Sequence, residues 1–251
     1  MNSKIIFYTA ALLLPLLVFS QFGCSSSKET RYEVVPKEET KEIKAPVALK
    51  TMEVREREFI QQKKISEIER INFEYDNSGK HVNKGKLSTA KYDSKGFLIE
   101  TIVFDERGRV QNKFEYKYND KGLRTESLRF NDKNKLDKKY AYQYDKLGSK
   151  VKSIRSNANG VEEKYYLYDY DPELNLITDE WYDISGDLEY KIENEYDDDG
   201  KKISSSSYNE SGKLQTRYVY KYDDKKLLVE EQKFEDDKPV GIIQYLYKYY
   251  K

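Results

Sequence analysis

A short motif recurs along this chain at a fixed interval, and that interval limits the possible folds more than any other feature of the sequence. An aromatic residue, Asp or Asn, two mostly polar residues and Gly appear as YDSKG from Tyr92, FDERG from Phe104, YNDKG from Tyr118, FNDKN from Phe130 and YDKLG from Tyr144. The series continues through SNANG at Ser156, YDPEL at Tyr170, YDISG at Tyr182, YDDDG at Tyr196, YNESG at Tyr208, YDDKK at Tyr222 and FEDDK at Phe234, with YDNSG at Tyr75 ahead of it. From Tyr92 to Phe234 the steps alternate between 12 and 14 residues, which defines a 26-residue unit. A period of this size marks a repeat architecture in which each unit is one supersecondary element.

The motif has a turn mechanism. Asp or Asn caps the turn through its own side chain, and Gly takes the positive φ that closes a hairpin with a bulge. Between turns there is room for one strand each, and the residues alternate. In 110–118, Val110, Asn112, Phe114, Tyr116 and Tyr118 share one face, while Gln111, Lys113, Glu115 and Lys117 share the other. One unit later the first face carries Leu136, Lys138, Tyr140, Tyr142 and Tyr144. Tyr170, Tyr196 and Tyr222 continue one column. Tyr166, Ile192, Tyr218 and, after a one-residue insertion, Tyr245 continue another.

These periods predict an all-β protein, an antiparallel meander of about 14 strands built from 26-residue hairpin repeats. Neighbours in a column are two strands apart, about 10 Å, so the strand between must supply filler, for which Ile102, Leu128 and Ile154 are the expected residues. Strand twist of about 20 to 25° per strand accumulates toward a full turn, so the sheet should curl with its tyrosines on the concave face. A closed barrel of that many strands leaves a lumen too wide for side chains to fill, so a curled open sheet or β-roll is expected. A membrane-spanning barrel is disfavoured: its lipid face needs apolar residues on every strand, whereas here one face is charged and the other tyrosyl.

Composition fits thin, half-wet layers. Charged residues make up 36% of the 251 residues and hydrophobic ones 37%, with 24 Tyr. A tyrosine removes a large ring from water while its hydroxyl stays hydrated. The 45 basic side chains balance 45 acidic ones, so the basic excess that nucleic acid demands is missing, and no nucleic-acid partner is expected.

Ahead of the repeats, residues 1–23 read as a signal peptide: Lys4, an apolar run over 5–20, then Gly23 before the single cysteine, Cys24. Residues 24–50 form a Ser, Glu and Lys-rich tether with two prolines. Residues 51–70 read either as a helix or as a first strand, and 71–251 as the repeat domain. The stretch ending Gly23-Cys24-Ser25 resembles a bacterial lipoprotein signal, although Gln21 and Phe22 depart from the usual residues. That likeness implies lipidation of Cys24, palmitate included, and a membrane partner through the lipid anchor. Ser25 is not the acidic residue that retains some lipoproteins at the inner membrane, so the outer membrane of a bacterial cell envelope is the expected location. An uncleaved single-span anchor is the alternative.

The unit GLRTESLRFNDKNKLDKKYAYQYDKLG, residues 122–148, resembles the YD or Rhs-type repeat in its Gly-x-Leu start, central turn and closing Tyr-x-Tyr-Asp-x-x-Gly. The likeness covers 92–251. It implies hairpins wound into a continuous sheet on bacterial surface or secreted proteins, often linked to carbohydrate binding or to enclosing a toxin domain. The unit here is longer, Ser156, Leu174 and Lys226 depart from the pattern, and no toxin domain follows Lys251, so a complete shell is not expected.

Chemistry is scarce. One His, His81, and one Cys assemble no nucleophilic triad and no His-rich metal set, and no phosphate-cradling or dinucleotide glycine motif occurs. No enzyme, metal or cofactor is expected, and His81 reads as a loop residue. The acidic groups Asp197-Asp198-Asp199, Asp169 with Asp171 and Glu173, and Glu235-Asp236-Asp237 lack the distant Glu of a calcium loop and read as turn chemistry. The tyrosine face alone has functional reach: Phe114, Tyr116, Tyr140, Tyr142, Tyr166, Tyr168, Tyr218 and Tyr220 are the candidate ligand-binding residues. Two readings stand. In the first, the protein is a non-catalytic, lipid-anchored envelope protein whose sheet is a structural or interaction surface. In the second, it is a carbohydrate-binding or host-matrix adhesin that stacks a glycan, or holds a protein partner, on that face.

Overall fold

A computed structural model describes residues 49–251. The signal peptide, Cys24 and the tether as far as residue 48 lie outside the described residues. Among the described residues one helix, α1 (Met52–Gln62), precedes fourteen strands: β1 (Ile65–Tyr75), β2 (His81–Tyr92), β3 (Leu98–Phe104), β4 (Val110–Tyr118), β5 (Arg124–Asn131), β6 (Leu136–Tyr144) and β7 (Lys150–Asn157), followed by β8 (Glu162–Tyr170), β9 (Leu176–Asp183), β10 (Leu188–Tyr196), β11 (Lys202–Asn209), β12 (Leu214–Tyr222), β13 (Leu228–Glu235) and β14 (Lys238–Tyr249). The ambiguous stretch 51–70 thus holds both the helix and the start of β1.

Every strand pairs antiparallel with its sequence neighbours, and β14 pairs with β1, so the meander is a closed barrel. This corrects the expectation of an open curl or roll. Closure comes from the seam, which runs from Ile65↔Tyr249 to Glu74↔Gly241 with one register shift between Ile65 and Glu67. An open roll would leave β1 and β14 each with a row of unpaired N–H and C=O groups, and fourteen strands at about 20 to 25° bring those two edges together. The width objection fails because the inward side chains are long ones. Tyr, Trp, Arg and Lys reach further than branched aliphatics and need not pack dry.

The turns form as the motif requires. At Asp93, the backbone N–H donates to the Phe97 carbonyl (2.8 Å) and the Gly96 N–H to the Asp93 carbonyl (2.9 Å). The Asp93 Oδ1 accepts from the N–H groups of Lys95 and Phe97, both at 2.9 Å. The acidic group at 197–199 does the same work, its first carboxylate accepting from Asp199 N (3.1 Å) and Lys201 N (2.8 Å). Where Gly is missing, the backbone keeps the left-handed shape: Asn134, Leu174 and Lys226 sit at φ of 55, 60 and 65°. A residue with a Cβ is strained there by about 1 to 2 kcal/mol. Lys226 is exposed, so Lys226→Gly should stabilise the fold by about 1 kcal/mol after glycine's extra chain entropy is deducted. A lowered thermal midpoint would refute that account of the turn.

The last hairpin is different. Its two turn residues, Asp236 and Asp237, are both left-handed (φ 47 and 59°), the shape of a two-residue turn between twisted strands. The last unit is therefore one residue shorter, not longer. Ile243, not Tyr245, takes the place equivalent to Tyr218, and the expected insertion is corrected accordingly.

Helix α1 lies across one mouth of the barrel, over the turns that follow the even-numbered strands. Arg55 donates to the carbonyls of Glu173 (3.2 Å) and Leu174 (3.1 Å) and to Asn175 Oδ1 (2.5 Å). Arg57 donates to the Gly122 carbonyl (3.0 Å) and lies 4.7 Å over the Phe97 ring. Ile60 packs with Ile65, Tyr92 and Leu227 in a small buried cluster. Gly96 is required for this approach, because a Cβ there would stand 2.2 Å from the Arg57 carbonyl oxygen.

Candidate functional site: the barrel lumen

All eight candidate aromatic residues point into the lumen, as the register shows: Phe114 faces Arg129 and Tyr116 faces Ser127 across β4 and β5. They form two tiers. In the tier nearer the helix, three tyrosine hydroxyls meet a small hydroxyl residue on a neighbouring strand: Tyr116 with Thr101 (2.9 Å), Tyr142 with Ser127 (2.7 Å) and Tyr168 with Ser153 (2.8 Å). These small residues are the filler between columns. Ile102, Leu128 and Ile154 are not, since Ile102 pairs with Lys113 and Leu128 with Glu115 on the outer face. The sense of that correction is chemical: between rings whose hydroxyls point inward, a Thr or Ser fills the gap and also satisfies the phenol, which an aliphatic residue cannot do.

A third tier, next to α1, ties phenols to backbone. Tyr118, Tyr144, Tyr170 and Tyr222 donate to the carbonyls of Leu98 (2.9 Å), Arg124 (2.8 Å), Lys150 (2.9 Å) and Lys202 (3.1 Å). Tyr196 breaks the series. Asn194 stands where the other units have a tyrosine, and its Nδ2 donates to the Leu176 carbonyl (3.2 Å) that Tyr196 would otherwise use. The Tyr196 hydroxyl is left buried without a hydrogen-bond partner.

In the tier farther from the helix, rings run on as an arc. Phe114 to Tyr140 is 6.5 Å between centroids, Tyr140 to Tyr166 6.4 Å, Tyr166 to Trp181 5.5 Å and Trp181 to Tyr190 4.9 Å. Such offset and edge contacts contribute about 0.5 to 1.5 kcal/mol each beyond area burial. Trp181 Nε1 donates to Asp179 Oδ1 (3.0 Å). Arg129 and Arg155 stand opposite Phe114 and Tyr140. Sequence reasoning missed Trp181, Arg129 and Arg155. Their mutual spacing of one repeat unit was the available signal.

Three cations line the tier under the helix, again one or two units apart: Arg124 opposite Tyr118, Lys150 opposite Tyr144 and Lys202 opposite Tyr196. Each lies over a ring, Arg124 at 4.6 Å from the Tyr116 centroid, Lys150 at 4.2 Å from Tyr168 and Lys202 at 4.4 Å from Tyr220. Among the described residues neither Lys150 nor Lys202 forms an ion pair. Burial lowers the pKa of both, Lys202 to about 8. From above, α1 directs Glu53 and Glu56 toward this tier. Glu53 Oε2 lies 3.3 Å from the Tyr144 hydroxyl, for whose one proton it competes with the nearer Arg124 carbonyl. Glu56 has its carboxyl pKa raised by burial, although Arg124, Lys150 and Lys202 pull it down. Yet its side chain is exposed. Glu53 and Glu56 line a small cavity under the helix together with Tyr118 and Arg124.

The outer face carries charge ladders instead, among them Lys91 with Glu100 (2.7 Å) and Lys117 with Glu126 (2.6 Å). His81 is exposed beside the Tyr75 ring, 4.5 Å between centroids. Among the described residues no set of three or more His, Cys, Asp or Glu is placed to hold a metal ion, and no described helix is long and apolar enough to cross a membrane.

No protein-family model matches the chain, and no curated protein matches it in sequence. Among solved structures, a porin-like protein from Bacteroides uniformis is similar at 11% identity over 74% of this chain and 97% of its own, with a TM-score of 0.47. A Photorhabdus luminescens Tc holotoxin pore chain is similar at 14% identity over 62% of this chain and 9% of that one, with a TM-score of 0.30. A Bacteroides fragilis protein of unknown function is similar at 14% identity over 60% of this chain and 91% of its own, with a TM-score of 0.15.

Proposed function

We propose that this is a non-catalytic protein of the bacterial cell envelope, held at a membrane through lipid on Cys24, whose barrel serves as an interaction or structural body in the aqueous space beside that membrane. The observation that carries this reading is the orientation of the sheet. Its aromatic face is turned inward and largely hydrogen-bonded to itself, and its outer face is rich in Lys and Glu, with aliphatic residues such as Ile102 and Leu128 set among them. A barrel inserted in a bilayer needs the opposite arrangement, with apolar side chains outward, so membrane attachment falls to the N-terminal segment. Three acyl chains anchor durably where one holds only marginally, each buried methylene adding about 0.8 kcal/mol.

The second reading, a glycan- or matrix-binding adhesin, draws support from the arc that ends at Trp181 and Tyr190. It requires the ligand to enter the lumen, since the rings form no outward surface. Replacing Cys24 with Ala tests the anchor: the variant should lose acyl labelling and move from the membrane to the soluble fraction of cells. Continued sedimentation with membranes would replace the lipid anchor by an uncleaved span.

A further inference from the structure

We infer that Tyr165 and Tyr182, stacked on the outer face of β8 and β9, form an oxidative cross-linking site, at which a peroxide-driven one-electron oxidant joins the two phenols by a carbon–carbon bond and Glu180 takes the proton that leaves Tyr182. The inference goes beyond the envelope role and does not depend on how the barrel is tethered.

The argument begins with a break in the repeat. On the outer face, one position of the even-numbered strands recurs every 26 residues as Lys113, Lys139, Tyr165, Lys191 and Arg217. These pair directly with Phe130, Ser156, Tyr182, Tyr208 and Phe234 on the strands that follow. The prevailing arrangement sets a cation against a ring, as Lys113 over Phe130 and Arg217 over Phe234 do, both at 4.8 Å from the centroid. Among these five pairs, only that of β8 and β9 has a second phenol in place of the cation. The same unit departs again two residues before Tyr182: where the three preceding units carry Ile102, Leu128 and Ile154, it carries Glu180. Apolar burial does not favour that second change, since Glu covers less apolar surface than Ile or Leu.

The two departures meet in space. The Tyr165 and Tyr182 rings lie 5.0 Å apart between centroids with their planes within 6°, an offset stack. The Tyr182 hydroxyl donates to Glu180 Oε2 at 2.8 Å. That bond, with burial second, pushes the phenol pKa up to about 12. Tyr182 is therefore protonated at neutral pH and must release a proton as it loses an electron, and a carboxylate at hydrogen-bond distance is placed to accept it. Lys152 Nζ lies 4.8 Å over the Tyr165 ring, where its charge opposes removal of an electron, so Tyr182 is oxidised first. Both rings are half-buried, and the Tyr165 hydroxyl lies beside the exposed Gly186, so an oxidant in solution reaches them. The lumenal pair Tyr140 and Tyr166 is 6.4 Å apart, tilted by 39° and enclosed by the barrel.

Each phenol gives up one electron and one proton, Tyr182 to Glu180 and Tyr165 to water. The two phenoxyl radicals join through ring carbons next to their hydroxyls, and each ring regains aromaticity as the hydrogen on the joined carbon passes to oxygen as a proton. One hydrogen peroxide takes up both electrons and both protons and leaves as two waters. The product is lighter by two hydrogen atoms and ties β8 covalently to β9.

The test is to treat the full-length protein, kept dilute, with hydrogen peroxide and a haem peroxidase, and to recover the monomer. The monomer should show the blue emission of dityrosine, and peptide mass mapping should place the bond between Tyr165 and Tyr182. Its thermal midpoint should rise by about 5 to 10 °C, because the link restricts the unfolded chain. Tyr165→Phe and Tyr182→Phe, which keep both rings, should each abolish the bond, and Glu180→Gln should slow its formation by about tenfold or more. Monomer without dityrosine overturns the proposal, as does a bond mapped to other tyrosines or one that persists in Tyr165→Phe. An unchanged rate in Glu180→Gln would overturn the part given to that carboxylate. Mapping on the native protein decides the site even if a variant misfolds.

Discussion

Gly241→Ala should cost about 3 kcal/mol, a large effect for a single methyl group. Gly241 lies in the seam, where its built Cβ stands 2.4 Å from the carbonyl oxygen of Phe73 and 3.4 Å from the Cα of Glu74. Backbone on a neighbouring strand cannot move aside as a side-chain end can, so the added carbon forces β14 away from β1 or distorts both. The register there, Phe73↔Ile242 and Glu74↔Gly241, is what joins the last strand to the first. Gly108→Ala is the matched control. It pays for a positive φ of 73°, but its Cβ meets nothing within 4 Å, so about 1 to 2 kcal/mol is expected. Urea unfolding of both variants checks the pair, with faster amide exchange along β1 and β14 in Gly241→Ala only. Equal losses would mean that the seam tolerates the methyl group and that closure has another cause.

Tyr168→Ala should destabilise by about 3 to 5 kcal/mol, the range for deleting a buried aromatic side chain. Tyr168 is 6% exposed and belongs to a cluster with Tyr166 and Leu176, against which Met52 of α1 packs. The informative variants are gentler. Tyr168→Phe keeps the ring and removes the hydroxyl, leaving the buried Ser153 Oγ without its 2.8 Å partner, at a cost of about 1 to 3 kcal/mol. Adding Ser153→Ala removes the stranded group as well, so the double variant should be no less stable than Tyr168→Phe alone. Strict additivity of the two losses would show that the phenol and the serine are not coupled, and the hydroxyl ladder would lose its structural role.

Much of the architecture is legible in the residues themselves. The Asp or Asn with Gly of each turn, the alternation of 110–118 and the 26-residue period give fourteen antiparallel strands and place Phe114, Tyr116, Tyr140 and Tyr142 on one shared face. These are local or near-local signals, and local physics decides them. Closure is a contact between residues such as Ile65 and Tyr249, and no short-range pattern records it. The filler between tyrosine columns was misread because hydrophobicity pointed to Ile102 and Leu128, whereas the buried phenols require the hydroxyls of Thr101 and Ser127. The arc residues Trp181, Arg129 and Arg155 were hidden by their own variety. They occupy one repeat position that changes from Arg at 129 and 155 to Trp at 181, and a search for similarity passes over a column that keeps its place while changing its chemistry. Helix α1 was half visible: its charges suit a helix, but that Glu53 and Glu56 turn inward depends on the rim of turns beneath it.

The joining of first strand to last has a consequence for synthesis. Until β14 has been made, β1 carries a free edge with no native partner, and thirteen strands must wait in an unclosed ribbon. Sequence-distant pairing of this kind is slow, and an idle edge is a template for a strand of another molecule. Two nascent copies can therefore satisfy each other's edges before either closes on itself, so this chain reaches its monomeric ring most reliably when its concentration is low.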